Sequence, residues 1–514
     1  MYPGTHAETT PDKPAVVMAE DGATLTYAEL EDRSRRLARA LRERGVQPGD
    51  CVALLSENTP RYFEVYWAAM RSGFYFIALN TQLGIDEHEH IVKDSGVKAL
   101  IVSTRYGELA QAVIERVPEV GVRIAVGGGV GGFEDLDQVQ TKTSDAPLEH
   151  QPQGQDMLYS SGTTGKPKGI RMPMPERQVH EPGNPLIAAF GPRYGFSDQT
   201  VYLSPAPLYH AAPLRFCAMI QSLGGTVVVL RKFDAEGALK AIQDHRITHS
   251  QWVPTMFVRM LKLPEQVRQA YDVSSIQVAV HAAAPCPIEV KQQMIDWWGP
   301  VFEEYYAATE THGITMTSSA EWLERPGTVG KAALGTLHVC DPDTEGQPEV
   351  PIGVDGLVYF ERDALPFTYH NDPDKTREAQ HPLHPTWTTT GDIGHVDEDG
   401  YLFLTDRRSF MIISGGANIY PQEAENVLTM HPAVQDVAVI GVPDPEMGES
   451  VKAVVQPAPG VEPSPALERE LIDYVRERIA HYKAPRSVDF LAELPRTPTG
   501  KLVKGTLKQQ YTAG

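Results

Sequence analysis

Apolar residues recur at helical spacing through Leu30, Leu37, Ala38 and Leu41. They follow Thr26-Tyr27-Ala28-Glu29, which has the spacing of a capping box, and Gly45 closes the run, so a helix is predicted there. The unbroken apolar stretch at 51–55 predicts a buried strand, 62–70 a buried helix, and 99–102 another strand. The alternation returns at 225–230 with a helix over 235–245, and at 276–280 with a helix over 287–298. Strands alternating with helices predict parallel α/β layers. The glycine run at 127–132 reads as a connector and not as a nucleotide loop.

From about residue 326 the texture shifts to short strands, with Asp341-Pro342, Asp372-Pro373 and Asp399-Gly400 as turn signals, which predicts a β-rich subdomain over about 326–405. After Asp406-Arg407-Arg408-Ser409 the pattern becomes α+β, with helices over 422–430 and 465–482 and a strand over 437–440. The expected organisation is α/β and multidomain. A large N-terminal domain of α/β layers with its small β subdomain occupies 1–408, and a mobile α+β C-terminal domain occupies 409–514.

Composition narrows the classes. A formal charge of −21 over 514 residues disfavours nonspecific binding to nucleic acid or to an anionic membrane. The four cysteines, Cys51, Cys217, Cys286 and Cys340, are far apart, so neither a disulfide framework nor a zinc site is expected. The N-terminus has no export-signal pattern, no apolar run reaches bilayer length, and the last four residues form no prenylation box. A cytoplasmic protein is expected. Within 86–90, Asp86-Glu87-His88-Glu89-His90 lacks the histidine spacing of a zinc peptidase and reads as a solvated helix face.

The densest chemistry lies in the run from Tyr159 to Gly169, where Ser160, Ser161, Gly162, Thr163, Thr164, Gly165, Lys166 and Lys168 combine hydroxyls, flexible backbone and ammonium groups. Main-chain N–H groups of such a loop can wrap phosphate oxygens, with lysine charge beside them. No four-residue spacer leads to Gly-Lys-Ser/Thr, so this is not the common P-loop. The run resembles the phosphate loop of the adenylate-forming superfamily, which contains acyl-CoA synthetases, nonribosomal adenylation domains and beetle luciferases. A flexible polar loop would account for its composition, but not for the matching motifs downstream.

Glu304-Tyr305-Tyr306-Ala307-Ala308-Thr309-Glu310 resembles the next motif of that family. The resemblance implies that Tyr306 lies by adenine with Ala283 and Ala284 near it, that Thr309 and Glu310 serve the phosphates, and that Glu310 with Thr164 takes Mg2+. A carboxylate suits that hard, oxygen-seeking cation. Thr389-Thr390-Gly391-Asp392 resembles the ribose-binding segment, Arg407 the nucleotide-contacting arginine, and Ser409 the hinge. Pro495-Arg496-Thr497-Pro498-Thr499-Gly500-Lys501 resembles the loop delivering the adenylation lysine, so Lys501 would bridge carboxylate and α-phosphate. The segment Ser414-Gly415-Gly416 would line a tunnel for the CoA thiol. These motifs follow the family's order over nearly the whole chain. They imply that a carboxylic acid, ATP and CoA react in two half-reactions with the C-terminal domain in two orientations.

The acyl pocket implied by the resemblance runs through His210, Val253, Ala282, Ala283, Ala307 and Ala308, with His210 gating the thiol tunnel. No lysine or arginine falls in these segments and the alanines leave room, so a bulky or long apolar acid is expected. Ala307 stands where many relatives carry glycine, and its methyl is expected to weaken adenylation more than thioesterification. Loading of a carrier protein, thioesterification of a preformed acyl-AMP, a luciferase-like oxygenase and a non-catalytic nucleotide sensor are the alternatives. No carrier-domain segment follows Lys501, and a sensor needs no adenylation lysine.

Overall fold

The computed structural model describes residues 2–160, 167–415, 417–495, 502 and 504–512. Ser161, Gly162, Thr163, Thr164, Gly165 and Lys166, expected in the phosphate loop, Gly416, expected in the thiol tunnel, and Lys501, expected to serve adenylation, lie outside them.

The anticipated capping box is formed. Thr26 Oγ1 accepts from Glu29 N while Glu29 Oε2 accepts from Thr26 N, and this opens the helix Tyr27–Glu43. The strand Cys51–Leu55 is buried along its whole length between Tyr75–Ala78 and Ala99–Ser103, both parallel to it. Its neighbours form a six-stranded sheet among the described residues. Parallel strands buried on both faces explain the continuous apolar runs.

A second sheet, 14-stranded among the described residues, contains parallel strands Val201–Ser204, Thr226–Val229, His249–Trp252, Val278–His281 and Phe302–Ala307. It turns antiparallel at Ile314–Ser318 and Thr328–Leu334, and from there continues without a break through Leu402–Arg407, Asp392–Val396, Gly356–Glu361 and Thr336–Cys340. The short strands of the 326–405 stretch are therefore hydrogen-bonded onto the α/β sheet, which aligns Asp392 with Tyr306. Asp372 acts as a helix cap and not as a simple turn residue, since its carboxylate accepts from Lys375 N at the start of Pro373–Glu378.

Among the described residues, a three-stranded sheet flanks the run 161–166. Leu158–Ser160 and Lys168–Arg171 pair antiparallel, with Lys168 opposite Ser160, and Thr368–Tyr369 pairs with the far side of Lys168–Arg171. Beyond Leu402–Arg407, the one-turn helix Arg408–Phe410 leads to a separate sheet, five-stranded among the described residues, that includes Ile412–Ser414, Val434–Asp444 and Gly448–Pro457. The helix expected over 465–482 stops at Arg476, and a short turn at His481–Lys483 follows. No helix among the described residues is long and apolar enough to cross a membrane.

Candidate active site

Four chain segments meet around Tyr306 and Glu310. Tyr306 is the penultimate residue of the strand Phe302–Ala307, and its hydroxyl donates to Asp392 Oδ2 at 2.6 Å. Thr390 Oγ1 donates to the same oxygen at 2.9 Å, while Arg407 Nε reaches Oδ1 at 3.1 Å. Burial alone would raise the Asp392 pKa, but the Arg407 charge and the two hydroxyl donors outweigh it and hold the carboxyl below its usual range. Burial and the facing carboxylate push the Tyr306 phenol well up, so it remains a donor. The result is an ionised, buried acceptor beside a half-buried ring.

Glu310 is 8% exposed and lies in the loop after that strand. Its Oε1 accepts from the Tyr369 hydroxyl at 2.9 Å, and Tyr369 sits on the strand paired with Lys168–Arg171. One phenol thus joins the carboxylate to the sheet that carries the phosphate loop. Ser160 and Lys168 are half-buried at the mouth of that hairpin. Thr309 is half-buried, and its carbonyl accepts from Arg215.

The helix Ile85–Ser95, expected to present a solvated charged face, instead bonds to Tyr159 and Pro167 on either side of the run 161–166. His90 Nε2 donates to Pro167 O at 3.0 Å, and Asp94 Oδ2 accepts from Tyr159 OH at 2.7 Å. His88 is fully buried, and its Nδ1 pairs with Gly84 O at 2.9 Å. Asp86 remains exposed, paired with Arg116. The helix packs against the strand Lys168–Arg171, so only its outer residues face water.

The alanine turn follows the strand Val278–His281. Ala282 is buried, whereas Ala283 and Ala284 are exposed, and Ala283 takes φ +76°, a left-handed conformation that costs a non-glycine residue of order 1–3 kcal/mol. The adjacent strands are pinned behind the turn by Lys291 Nζ on Glu304 Oε2 at 2.6 Å, with His281 Nε2 3.6 Å from the same oxygen. Burial drives the His281 pKa well below its usual value and Lys291 adds to the shift, so the imidazole is neutral. Ala307 is half-buried and packs against a hydrophobic cluster whose buried members include Ala282, Phe190, Phe216 and Tyr305. Ring centroids of Phe190 and Phe216 are 5.1 Å apart, and Gln251 Nε2 donates to Tyr305 OH at 2.8 Å. Ala308 and Val253 are half-buried, and Val253 caps the helix Pro254–Leu261. His210 caps the helix Ala211–Leu223, its ring 4.7 Å from that of Tyr209.

Ser409 occupies the one-turn helix between the two sheets. Ser414 is buried at the end of its strand, and Gly415 takes φ +58°, where a Cβ would fall 2.3 Å from Met447 Cε. Only glycine suits that position without displacing Met447. Near Lys501, the side chain of Lys504 is buried against Glu425 at 2.8 Å, which anchors the last helix, Lys504–Thr512.

Tyr369, Thr390, His90 and Arg215 were not anticipated from the sequence. Arg215 alone leaves a visible trace, as a charge within the apolar run Leu214-Arg215-Phe216-Cys217-Ala218-Met219. A magnesium ion suits this donor set. Tyr369 engages only one oxygen of Glu310, and among the described residues no cluster of three or more His, Cys, Asp or Glu could hold a metal by itself.

Residues 4–369 match the AMP-binding enzyme family, and residues 423–501 match the AMP-binding enzyme C-terminal domain. A feruloyl-CoA synthase of an Amycolatopsis species is 35% identical over 99% of this chain and 98% of its own. A fatty acid–[acyl-carrier-protein] ligase of Streptomyces coeruleorubidus is 32% identical over 98% of this chain and 95% of its own. The structure of an anthranilate CoA ligase with anthranoyl-AMP superimposes with a TM-score of 0.85 at 25% identity, covering 99% of this chain and 96% of that one. The chain belongs to the AMP-binding enzyme family, in the acyl-CoA synthetase branch of AMP-forming acid–thiol ligases.

Proposed function

We propose that this enzyme joins a bulky or long apolar carboxylic acid to CoA through an acyl-AMP, and that one arrangement carries this reading: Tyr369 ties Glu310 to the phosphate-loop sheet while Tyr306 and Arg407 fix Asp392. Asp392 accepts from the ribose, and the Tyr306 ring covers adenine. Glu310 and Thr164 hold magnesium, which supplies charge neutralisation to the triphosphate. Ser160, Ser161, Gly162, Thr163, Gly165 and Lys168 cradle the phosphates.

In the first half-reaction a carboxylate oxygen of the acid attacks the α-phosphorus and pyrophosphate leaves. Lys501 stabilises the charge that develops there. Rotation about Ser409 then brings Ser414, Gly415 and Gly416 to the site, and the CoA thiolate attacks the mixed anhydride and expels AMP. An apolar acid is supported by the apolar surroundings of this part of the site, where Ala282 is buried in the hydrophobic core and Ala307 packs against that core. The nearby guanidinium of Arg215 is already paired with Asp156 and offers no free charge for a second carboxylate.

Lys501→Ala tests the reading. It should abolish acyl-AMP formation from acid and ATP while sparing conversion of supplied acyl-AMP and CoA to thioester. Equal loss of both activities in a folded protein refutes the two-orientation scheme, and succinate or malonate as best acid refutes the apolar pocket.

A further inference from the structure

Arg215 lies on the helix Ala211–Leu223, a turn and a half beyond His210, with its side chain 12% exposed. Its Nε and Nη2 both donate to Asp156 Oδ2, at 3.0 and 2.7 Å. Nη1 donates to Thr311 Oγ1 at 3.1 Å and to Thr309 O at 3.3 Å. Asp156 lies on a strand paired with Tyr75 and Phe76, two residues before the strand Leu158–Ser160 that enters the phosphate loop. Its side chain is 7% exposed.

The two groups that Arg215 holds in the site flank Glu310, the carbonyl of Thr309 before it and the hydroxyl of Thr311 after it. Thr311 takes φ +52°, a conformation that a β-branched residue adopts only when its surroundings impose it. One planar guanidinium therefore sets the distance between the strand entering the phosphate loop and the Glu310 turn. A lysine could pair with Asp156 but could not present parallel donors to the carboxylate and the turn together.

We propose that Arg215 is a positioning residue for the nucleotide's metal-bound phosphates. Paired with Asp156, it fixes the Thr309–Glu310–Thr311 turn relative to the strand Leu158–Ser160 that Asp156 precedes. The proposal rests on the assignment of Glu310 to magnesium. Its effect falls on the first half-reaction, since AMP and acyl-AMP carry neither pyrophosphate nor the metal that accompanies it.

Arg215→Lys, the double variant Arg215→Met/Asp156→Asn, which leaves no unpaired charge, and Glu310→Gln are compared with the parent. Calorimetry measures binding of AMP and of magnesium α,β-methylene-ATP, and pyrophosphate release measures adenylation. Both Arg215 variants should hold the AMP Kd within about twofold, weaken the magnesium complex about tenfold, and lower adenylation about 100-fold, the scale of a misplaced reacting group. Thioester formation from supplied acyl-AMP should persist. Parent-like binding and adenylation in Arg215→Lys, with Glu310→Gln impaired, overturns the positioning role alone. Equal loss of AMP and magnesium-complex binding overturns it in favour of a purely structural ion pair. A parent-like Glu310→Gln overturns the metal assignment beneath it.

Discussion

Asp392 has two carboxylate oxygens and about four acceptor positions. Tyr306, Thr390 and Arg407 occupy three of them among the described residues, so one remains for the ribose. One hydrogen bond to an ionised acceptor contributes about 1.5–3 kcal/mol, which is about 10- to 150-fold in affinity. The parent should therefore bind AMP more tightly by that factor than whichever of 2′-deoxy-AMP and 3′-deoxy-AMP lacks the bonded hydroxyl. Asp392→Ala should abolish the difference. Because the Asp392 pKa is depressed, against the pull of burial, by Arg407 and the two hydroxyls, the carboxylate is charged throughout the neutral range. The discrimination, and the stability that the carboxylate contributes, are present above the ordinary carboxylate pKa and are lost as pH falls through the depressed one. Isothermal titration of the three nucleotides against both proteins, with circular dichroism to confirm folding, measures this directly. Undiminished ribose discrimination in a folded Asp392→Ala protein refutes the assignment.

Lys504→Met leaves Glu425 buried without its partner, a loss of about 3–5 kcal/mol. Burial already raises the Glu425 pKa against the pull of Lys504, so the variant's folded state favours the protonated acid. Its loss of stability should be greater at pH 8 than at pH 5, and thermal melts showing the opposite trend contradict the pair. Ala307→Gly should raise pyrophosphate release while leaving acyl-AMP consumption unchanged; an unchanged or lower adenylation rate makes the methyl merely part of the pocket wall. Gly415→Ala places a methyl on Met447 at φ +58° and should slow thioester formation from supplied acyl-AMP without slowing adenylation. Parent rates in both assays remove Gly415 from the thiol route.

Local chemistry made parts of the fold legible in the sequence. The Thr26 capping box and the buried strand at Cys51–Leu55 depend on neighbours within a few residues. The braces do not. Arg215 meets Asp156 across 59 residues and Thr309 across 94, and no local period encodes such a pairing. His90 was misread for the same reason, because its partner Pro167 lies 77 residues away and nothing in the 86–90 run distinguishes a face on water from a face on a loop. The strands after 326 show their turns in the sequence, but their union with the α/β sheet depends on the antiparallel register of Ile314–Ser318 with Thr328–Leu334, where a bulge shifts the pairing between Ile314 and Thr315.

The central claim is that an acyl-AMP made from ATP precedes the thioester. A single turnover of the unmodified enzyme with an aryl or long-chain acid, magnesium ATP and CoA, quenched at intervals and read by mass spectrometry, tests it most directly. Acyl-AMP and pyrophosphate should rise together in equal amounts, followed by acyl-CoA and AMP as the acyl-AMP declines. Release of ADP and phosphate, or thioester formed only when acyl-AMP is supplied, contradicts the account.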